Sequence, residues 1–230
     1  MSDSNPDELT VSAAVDTRRS VRAFLDRPVD MAVLREMLAL AARAPSGGNL
    51  QPWRITVLSG EPLERFRGVM ARRLAEAPAR DEMQYQVYPD NLAEPYRTHR
   101  FRIGEAMYAA LGIPRDDKPA RLRWFLRNYQ FFGAPVGLFV HVDRHMGIAQ
   151  WVDLGIYLQT VMLLLRGKGL DSCPQEAWAA YHTEVSRFLE TDANWVLFSG
   201  LAVGYADEAA PVNNFCSERM ALEEFASFVD

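Results

Sequence analysis

The stretch from Gly147 to Arg166 constrains the fold more than any other part of this sequence. Wound as a helix, it is apolar nearly all round: Trp151, Leu154, Ile156, Tyr157, Leu158, Val161, Met162, Leu163, Leu164 and Leu165 leave almost no polar face. A helix of that kind is buried or lies in an interface. A chain of 230 residues, 49% apolar, has enough material for a sizeable core. Covering this helix on every side is more than a chain of this size can do alone, so a second copy is expected against it.

The rest of the chain supplies shorter elements. Val136 to Val142, with Gly137 inside it, reads as a buried central strand. Trp195 to Tyr205 reads as a hydrophobic strand containing Gly200 and Gly204, and Ile55-Thr56-Val57-Leu58 as a short one bounded by Ser59-Gly60. A helix is expected over Glu8 to Thr17 with Asp7 as its cap, and a second after Asp30, with Met31, Leu34, Leu38 and Ala41 at helical spacing. Leu63 to Ala75 carries the stripe Leu63, Phe66, Met70 and Leu74; Phe101 to Leu111 and a segment opened by Pro119 are helical too. Leu170 to Trp178 reads as a loop, and a short helix follows His182. Between Pro78 and Pro95 the chain is polar and lacks periodicity, with Tyr85, Tyr88 and Tyr96 scattered through it. With no domain boundary in view, the chain reads as one domain, 1–230, in which residues 78–118 form an insertion or lid.

Composition excludes several functions. A formal charge of −5 gives no basic face for nucleic acid. The polar, acidic run Met1 to Glu8 has neither signal-peptide nor transit-peptide character, and the apolar run Val161 to Leu165 is far too short to span a bilayer. Cys173 and Cys216 are the only cysteines and make no disulfide framework. A soluble cytoplasmic protein without membrane attachment is expected. His141-x-Asp143-x-His145 lacks a third partner for a metal, and Cys173 has no histidine tied to it by spacing. Neither a Gly-x-Gly-x-x-Gly run nor a P-loop occurs.

What remains is a set of short polar stretches. Arg18-Arg19-Ser20-Val21-Arg22-Ala23-Phe24 crowds guanidiniums that repel one another unless an anion sits among them. The arginine fork matches phosphate oxygens, and a serine adds a short bond. Ala44-Pro45-Ser46-Gly47-Gly48-Asn49-Leu50-Gln51-Pro52-Trp53 has paired glycines that let backbone approach a ligand closely. Cys173-Pro174-Gln175-Glu176 and the late Ser217–Arg219 pair complete the set. A flat, phosphorylated cofactor held from several sides fits that distribution, and the clamp has charges for one phosphate with no adenine-site signature.

The Arg-Arg-Ser-x-Arg-x-Phe opening and the Pro-Ser-x-x-Asn-x-Gln-Pro-Trp loop, in this order and spacing, resemble the nitroreductase family of FMN-dependent NAD(P)H oxidoreductases. The resemblance runs from Arg18 to about Arg219, weakest over 78–118, and looks closest to the nitrobenzoate-reductase branch. It implies an α+β fold with a central, mostly antiparallel sheet flanked by helices, in an intertwined homodimer with two FMN molecules at the interface. By resemblance Arg18, Arg19, Ser20 and Arg22 hold the FMN phosphate, ribityl chain and pyrimidine edge. Pro45, Ser46, Gly47 and Asn49 come from the other subunit, and Asn128 faces the pyrimidine ring. Pro174, Gln175 and Glu176 cross one flavin face, with a backbone N–H near flavin N5, while Ser217 and Arg219 close on the phosphate. No side chain of the protein is then catalytic: flavin N5 takes hydride from NAD(P)H and passes electrons to a nitroaromatic or quinone acceptor in ping-pong order. Dehalogenation, enone reduction and flavin breakdown by relatives, and a flavin-binding role without turnover, are the alternatives. The aromatic residues of the 78–118 segment, with Arg97, His99, Arg100 and Arg102, are expected to cover the flavin and attract an anionic acceptor.

Overall fold

A computed structural model describes residues 9–229. The expected cap Asp7, the helix start at Glu8 and the N-terminal acidic run lie outside the described residues. Among those described, α1 spans Val11–Thr17 and is capped by Thr10, whose hydroxyl accepts the Ala13 N–H. Four strands make one antiparallel sheet: β1 (Arg54–Ser59), β2 (Val136–Asp143), β3 (Asp171–Gln175) and β4 (Trp195–Gly204), in the order β1-β2-β4-β3. β2 and β4 are central, paired through Leu138↔Leu201 and Val136↔Val203, which is why both read as near-continuous apolar runs.

One face of the sheet is covered by α2 (Met31–Ala41) and α6 (Ile148–Gly167). Val136, Leu138, Val140, Leu201 and Val203 pack there against Leu34, Met37, Leu154, Tyr157, Val161 and Leu165. α3 (Gly60–Glu76) covers the other face, together with 3-10 turns over Leu126–Gly133 and Glu176–Tyr181. Phe66, Phe131, Phe139, Trp178 and Tyr129 interlock there. The strand glycines make this possible: a Cβ on Gly137 would stand 2.6 Å from the Phe131 ring, and one on Gly200 2.3 Å from the Trp178 indole. The α+β architecture is as expected, with every strand pair antiparallel.

α6 has the length and hydropathy of a membrane-crossing helix, 20 residues at mean hydropathy 1.5. It is nevertheless a core helix, with its buried residues against the sheet, α1 and α2. Its outer side leaves Ile148, Val152 and Ile156 exposed at four-residue intervals, an apolar stripe with nothing over it among the described residues.

Two expectations change. Leu170 to Trp178 is not a loop but the edge strand β3 followed by a 3-10 turn. Its ladder comes from β4, through Cys173↔Ala202 and Pro174↔Leu201, and proline is confined to such edge positions in a sheet. The 78–118 segment is also two different things. Residues 78–86 are strapped to the body: Asp81 N–H donates to the Ala180 carbonyl, the Tyr181 hydroxyl to the Pro78 carbonyl and Thr183 N–H to Asp81 Oδ2. Tyr85 packs edge-on against Trp151 and donates to the Phe198 carbonyl, so burial raises its phenol and the residue belongs to the core. Beyond it, α4 (Tyr96–Ala110) and α5 (Lys118–Phe125) contain no fully buried side chain and stand out from the domain. A short α7 (His182–Leu189) and the terminal turn α8 (Leu222–Phe225) complete the chain.

His141 on β2 is 1% exposed and its Nε2 has no hydrogen-bond partner. Burial pushes its pKa down from the ordinary histidine value to about 4. The neutral ring therefore stabilises the fold fully above the unfolded pKa of about 6.5. That stability is lost as the pH falls toward 4, because the unfolded chain takes up the proton first. Urea midpoints at pH 7 and pH 5 should show a fall about 2 kcal/mol smaller in His141→Phe than in the parent chain. An equal fall in both would mean that this ring does not govern acid stability.

Candidate functional site

The arginine segment leaves the C-terminal end of α1 and runs extended along the free edge of β3. Ser20 bridges Ser172 in parallel sense, Val21 N–H donates to the Ser172 carbonyl at 3.0 Å, and Phe24 pairs with Ala206. Val21 is fully buried, and alternation along extended chain turns its neighbours Ser20 and Arg22 the other way. This edge brings the first basic stretch directly beside Cys173-Pro174-Gln175, which lies about 150 residues further along the sequence. Arg166 of α6 secures the junction, donating from Nε to Thr17 Oγ1 and from Nη1 to Asp171 Oδ1, each at 3.2 Å.

Arg18 and Arg219 converge. Arg18 is lowered first by burial and next by the positive charge of Arg219, with Cys173 opposing. Among the described residues Arg18 has no hydrogen-bond or ion-pair partner, and the Arg219 charge is near enough to disfavour its charged form. The Ser217 hydroxyl accepts from Arg219 Nη1 at 2.6 Å. Arg19 behaves differently: its Nη1 donates to the Asn213 carbonyl at 2.7 Å, so part of its donor fork is spent inside the protein.

Asn213 is the residue that sequence reasoning missed. It is 3% exposed, accepts the Arg22 N–H on Oδ1 at 2.8 Å, and donates from Nδ2 to the Ala23 and Asp207 carbonyls. A single buried amide thus fixes the backbone that carries the clamp. The Asn-Asn-Phe run was visible, but a residue acting on backbone nearly two hundred positions away leaves no local signature.

Across the edge, Gln175 is 2% exposed and turned inward. Its Nε2 donates to Asn128, at 2.8 Å to the carbonyl and 3.3 Å to Oδ1, while Trp178 Nε1 donates to Gln175 Oε1 at 3.4 Å. Asn128 in turn donates from Nδ2 to the Phe125 carbonyl at 2.8 Å. Asn128 does lie beside the Pro174-Gln175-Glu176 run. Its amide is a structural fastener, however, with its oxygen and one N–H engaged inside the chain. The Pro174 ring and the backbone entering the 3-10 turn at Glu176 are what this edge presents outward. Cys173 is 1% exposed, and burial pushes its thiol up against the opposing charges of Arg22 and Arg18, which makes it a poor nucleophile.

The Pro45–Trp53 loop is built by backbone rather than side chain. Ser46 Oγ accepts the Gln51 N–H at 3.0 Å, and Gly48, Asn49 and Gln51 hold φ of 58°, 57° and 49°. Gly47 N–H donates to both carboxylate oxygens of Asp153, at 3.3 and 3.2 Å, and Trp53 stacks on Tyr157 with ring centroids 4.7 Å apart. Both anchors are on α6, one turn apart. Pro45, Gly47 and Asn49 are exposed. This loop does not meet the arginine segment within one chain. Asp153 and Arg166 hold the two at opposite ends of α6, roughly 20 Å apart at 1.5 Å per residue.

Around α4 the charges are largely spoken for. Arg97 pairs with Glu94 at 2.6 Å, Arg102 reaches Glu218 at 3.7 Å, and Arg100 lies over the Tyr88 ring at 4.0 Å. A cleft of about 500 Å³ runs between Pro89–Leu92 and Arg97, Arg100 and Phe101. His145 lies on the surface with its Nδ1 2.9 Å from Asp143, and no group of three or more metal-ligating side chains occurs among the described residues.

The sequence matches the description of the Nitroreductase family over residues 15–205. It is 37% identical over 212 residues to the nitrobenzene nitroreductase of Ectopseudomonas oleovorans, covering 92% of this chain and 93% of that one. It is 37% identical over 217 residues to the 4-nitrobenzoate reductase of Pseudomonas putida, covering 94% of each. The crystal structure of the FMN and NADPH-dependent nitroreductase NfnB from Sphigopyxis sp. strain HMH superposes with a TM-score of 0.93 at 49% identity, over 96% of this chain and all of that one. With the clamp, the β3 edge and the Pro45–Trp53 loop in the positions described, this chain belongs to the nitroreductase family.

Proposed function

We propose that this protein is an FMN-dependent nitroreductase that oxidises NAD(P)H and reduces nitroaromatic acceptors, as a homodimer with sites shared between subunits. The observation that carries the reading is the seating of the arginine segment on the β3 edge through Ser20 and Ser172, with the half-buried Arg18 left without an anionic partner and the Arg219 charge nearby. A phosphate monoester supplies the missing charge and accepts from both forks. Bound FMN supplies the redox chemistry, taking hydride from the nicotinamide and passing electrons to the acceptor. The chain's own part is orientation. Arg18, Arg219 and Ser20 hold the phosphate end, Arg22 the pyrimidine edge, and Pro174 and the backbone at Glu176 one face of the ring. Arg19 supports this arrangement through Asn213.

The dimer follows from distance. The Ser46–Gly47 loop and the clamp are separated by about 20 Å on one α6, so one flavin cannot touch both in the same chain. Two α6 helices packed antiparallel and crossing near Gln159 set Asp153 of one level with Arg166 of the other, which brings the loop of one subunit to the clamp of the other; Ile156 and Leu163 on that side are not fully covered within one chain. Exposed Phe225 and Phe228 at the C-terminus supply further apolar surface for a partner. Location in the cytoplasm fits a chain whose two cysteines are both free.

For the acceptor, residues 87–118 are the cover, with Tyr88, Tyr96 and Phe101 as flat contacts. Arg97 is committed to Glu94, which leaves Arg100 as the cation for a carboxylate-bearing nitroarene.

The protein should purify yellow and release FMN rather than FAD, and Arg18→Ala and Arg219→Ala should each raise the FMN dissociation constant about tenfold or more. Unchanged affinity in both variants would reduce the arginines to a solvated run. Light scattering should give twice the chain mass for the flavin-loaded species; a monomer that keeps FMN would exclude shared sites. Arg100→Ala should raise KM for a nitrobenzoate severalfold while leaving KM for an uncharged quinone near the parent value. Equal responses would remove the carboxylate role.

A further inference from the structure

A carboxylate in the buried face of α6 needs a reason. Leu154, Tyr157, Leu158, Val161, Met162 and Leu165 make that face apolar, and Asp153 interrupts it at 7% exposure. Burying a carboxylate is costly unless donors replace the water it loses. Among the described residues Asp153 receives one donor, the Gly47 N–H, shared between Oδ1 at 3.3 Å and Oδ2 at 3.2 Å. One bifurcated bond is thin compensation, and an apolar side chain would suit the core better. Asp153 therefore does something other than stabilise the fold.

Its single partner indicates what that is. Gly47 opens a loop in which Gly48, Asn49 and Gln51 hold positive φ, a conformation that non-glycine residues adopt only at a cost. Such a loop keeps one shape only if its surroundings hold it. The anchors are Asp153 at its start and the Trp53–Tyr157 stack at its end, one helical turn apart. The same helix holds the clamp at its other end through Arg166, which donates to Thr17 Oγ1 and Asp171 Oδ1. α6 thus spaces the two ligand-facing segments, each by one polar side chain in an apolar helix.

We infer that Asp153 is a positioning residue, holding the Ser46–Gly47 loop through the Gly47 N–H so that it closes on the flavin gripped by the partner's clamp. This rests on the function proposed above. Asp153 touches no ligand itself, and its effect passes through Gly47. What matters is the acceptor oxygen, so Asp153→Asn, which keeps one, retains most of the effect.

The test uses the flavin-loaded dimer and flavin-free protein of the parent, Asp153→Ala and Asp153→Asn. Asp153→Ala should raise the FMN dissociation constant about tenfold while flavin-free protein melts at or above the parent temperature. Asp153→Asn should bind within about threefold of the parent. Co-expressed Asp153→Ala and Arg18→Ala subunits should recover tight FMN binding at close to half the sites of the mixed dimer, since one site then receives both intact halves. Unaltered FMN affinity in Asp153→Ala, an Asp153→Asn variant as weak as Asp153→Ala, loss of folding in Asp153→Ala, or no recovery in the mixed dimer would each overturn the inference. If the parent chain itself binds no FMN, it is the function proposed above that fails.

Discussion

The packing of α6 against β2 and β4 is the interaction on which the rest of the structure depends. Val161, Leu165, Leu154 and Tyr157 meet Leu138, Val140 and Leu201 with almost no residual exposure. Fully burying one such side chain is worth about 1.5–3 kcal/mol, so this layer dominates the core on that side. A helix held that firmly is suited to carry two polar anchors at a set spacing. Asp153 near its start is fastened to the Ser46–Gly47 loop and Arg166 near its end to Thr17, at the start of the arginine segment. Function is attached to the most rigid element available, as positioning demands.

On the opposite face the core is aromatic and does a different job. Phe131 and Phe132 both sit in the left-handed region, at φ of 50° and 53°, which β-carbon-bearing residues adopt at a cost. Their side chains are 0% and 2% exposed, wedged among Phe66, Phe139 and Trp178, and that burial offsets the strain. The turn they impose carries Asn128 back to Gln175, and Gln175 to Trp178, by hydrogen bonds of 2.8 to 3.4 Å. This inward-facing amide chain sets the edge along which Arg18 to Phe24 runs. Asn213 closes the arrangement from the C-terminal side. From Val21 to Ala23 this segment is thus a strand extension whose backbone partners, Ser172, Asn213 and Asp207, lie far away in sequence.

Much of this was readable in the chain itself. The period of the Met31–Ala41 and Leu63–Leu74 stripes, the Asp30 cap, and the apolar runs of β2 and β4 identified their elements, because each signal is local. The serine- and arginine-bearing stretches stand out in the sequence because three arginines within five residues are unusual in an acidic chain. β3 was read as a loop because an edge strand with a proline shows neither alternation nor an apolar run. That Asn128 and Gln175 hydrogen-bond to one another is not visible in the sequence, because composition does not say which neighbour an amide meets. The Tyr85 side chain was placed over a site for a similar reason: an aromatic in a polar stretch gives no sign that Trp151 and Phe198 wait for it.

By itself the sequence determined most of the secondary structure, the apolar helix at the centre and the crowding of arginines in one short stretch. These follow from short-range periodicity and from charge, which act within a few residues. Only the tertiary structure decided which side chains of each stretch face outward, that the Ser46–Gly47 loop and the clamp stand at opposite ends of one helix, and that Asn213 and Asp153 hold them there. Those outcomes depend on which buried donor meets which acceptor across the fold, and a hydrogen bond between residues over a hundred positions apart has no local pattern to read.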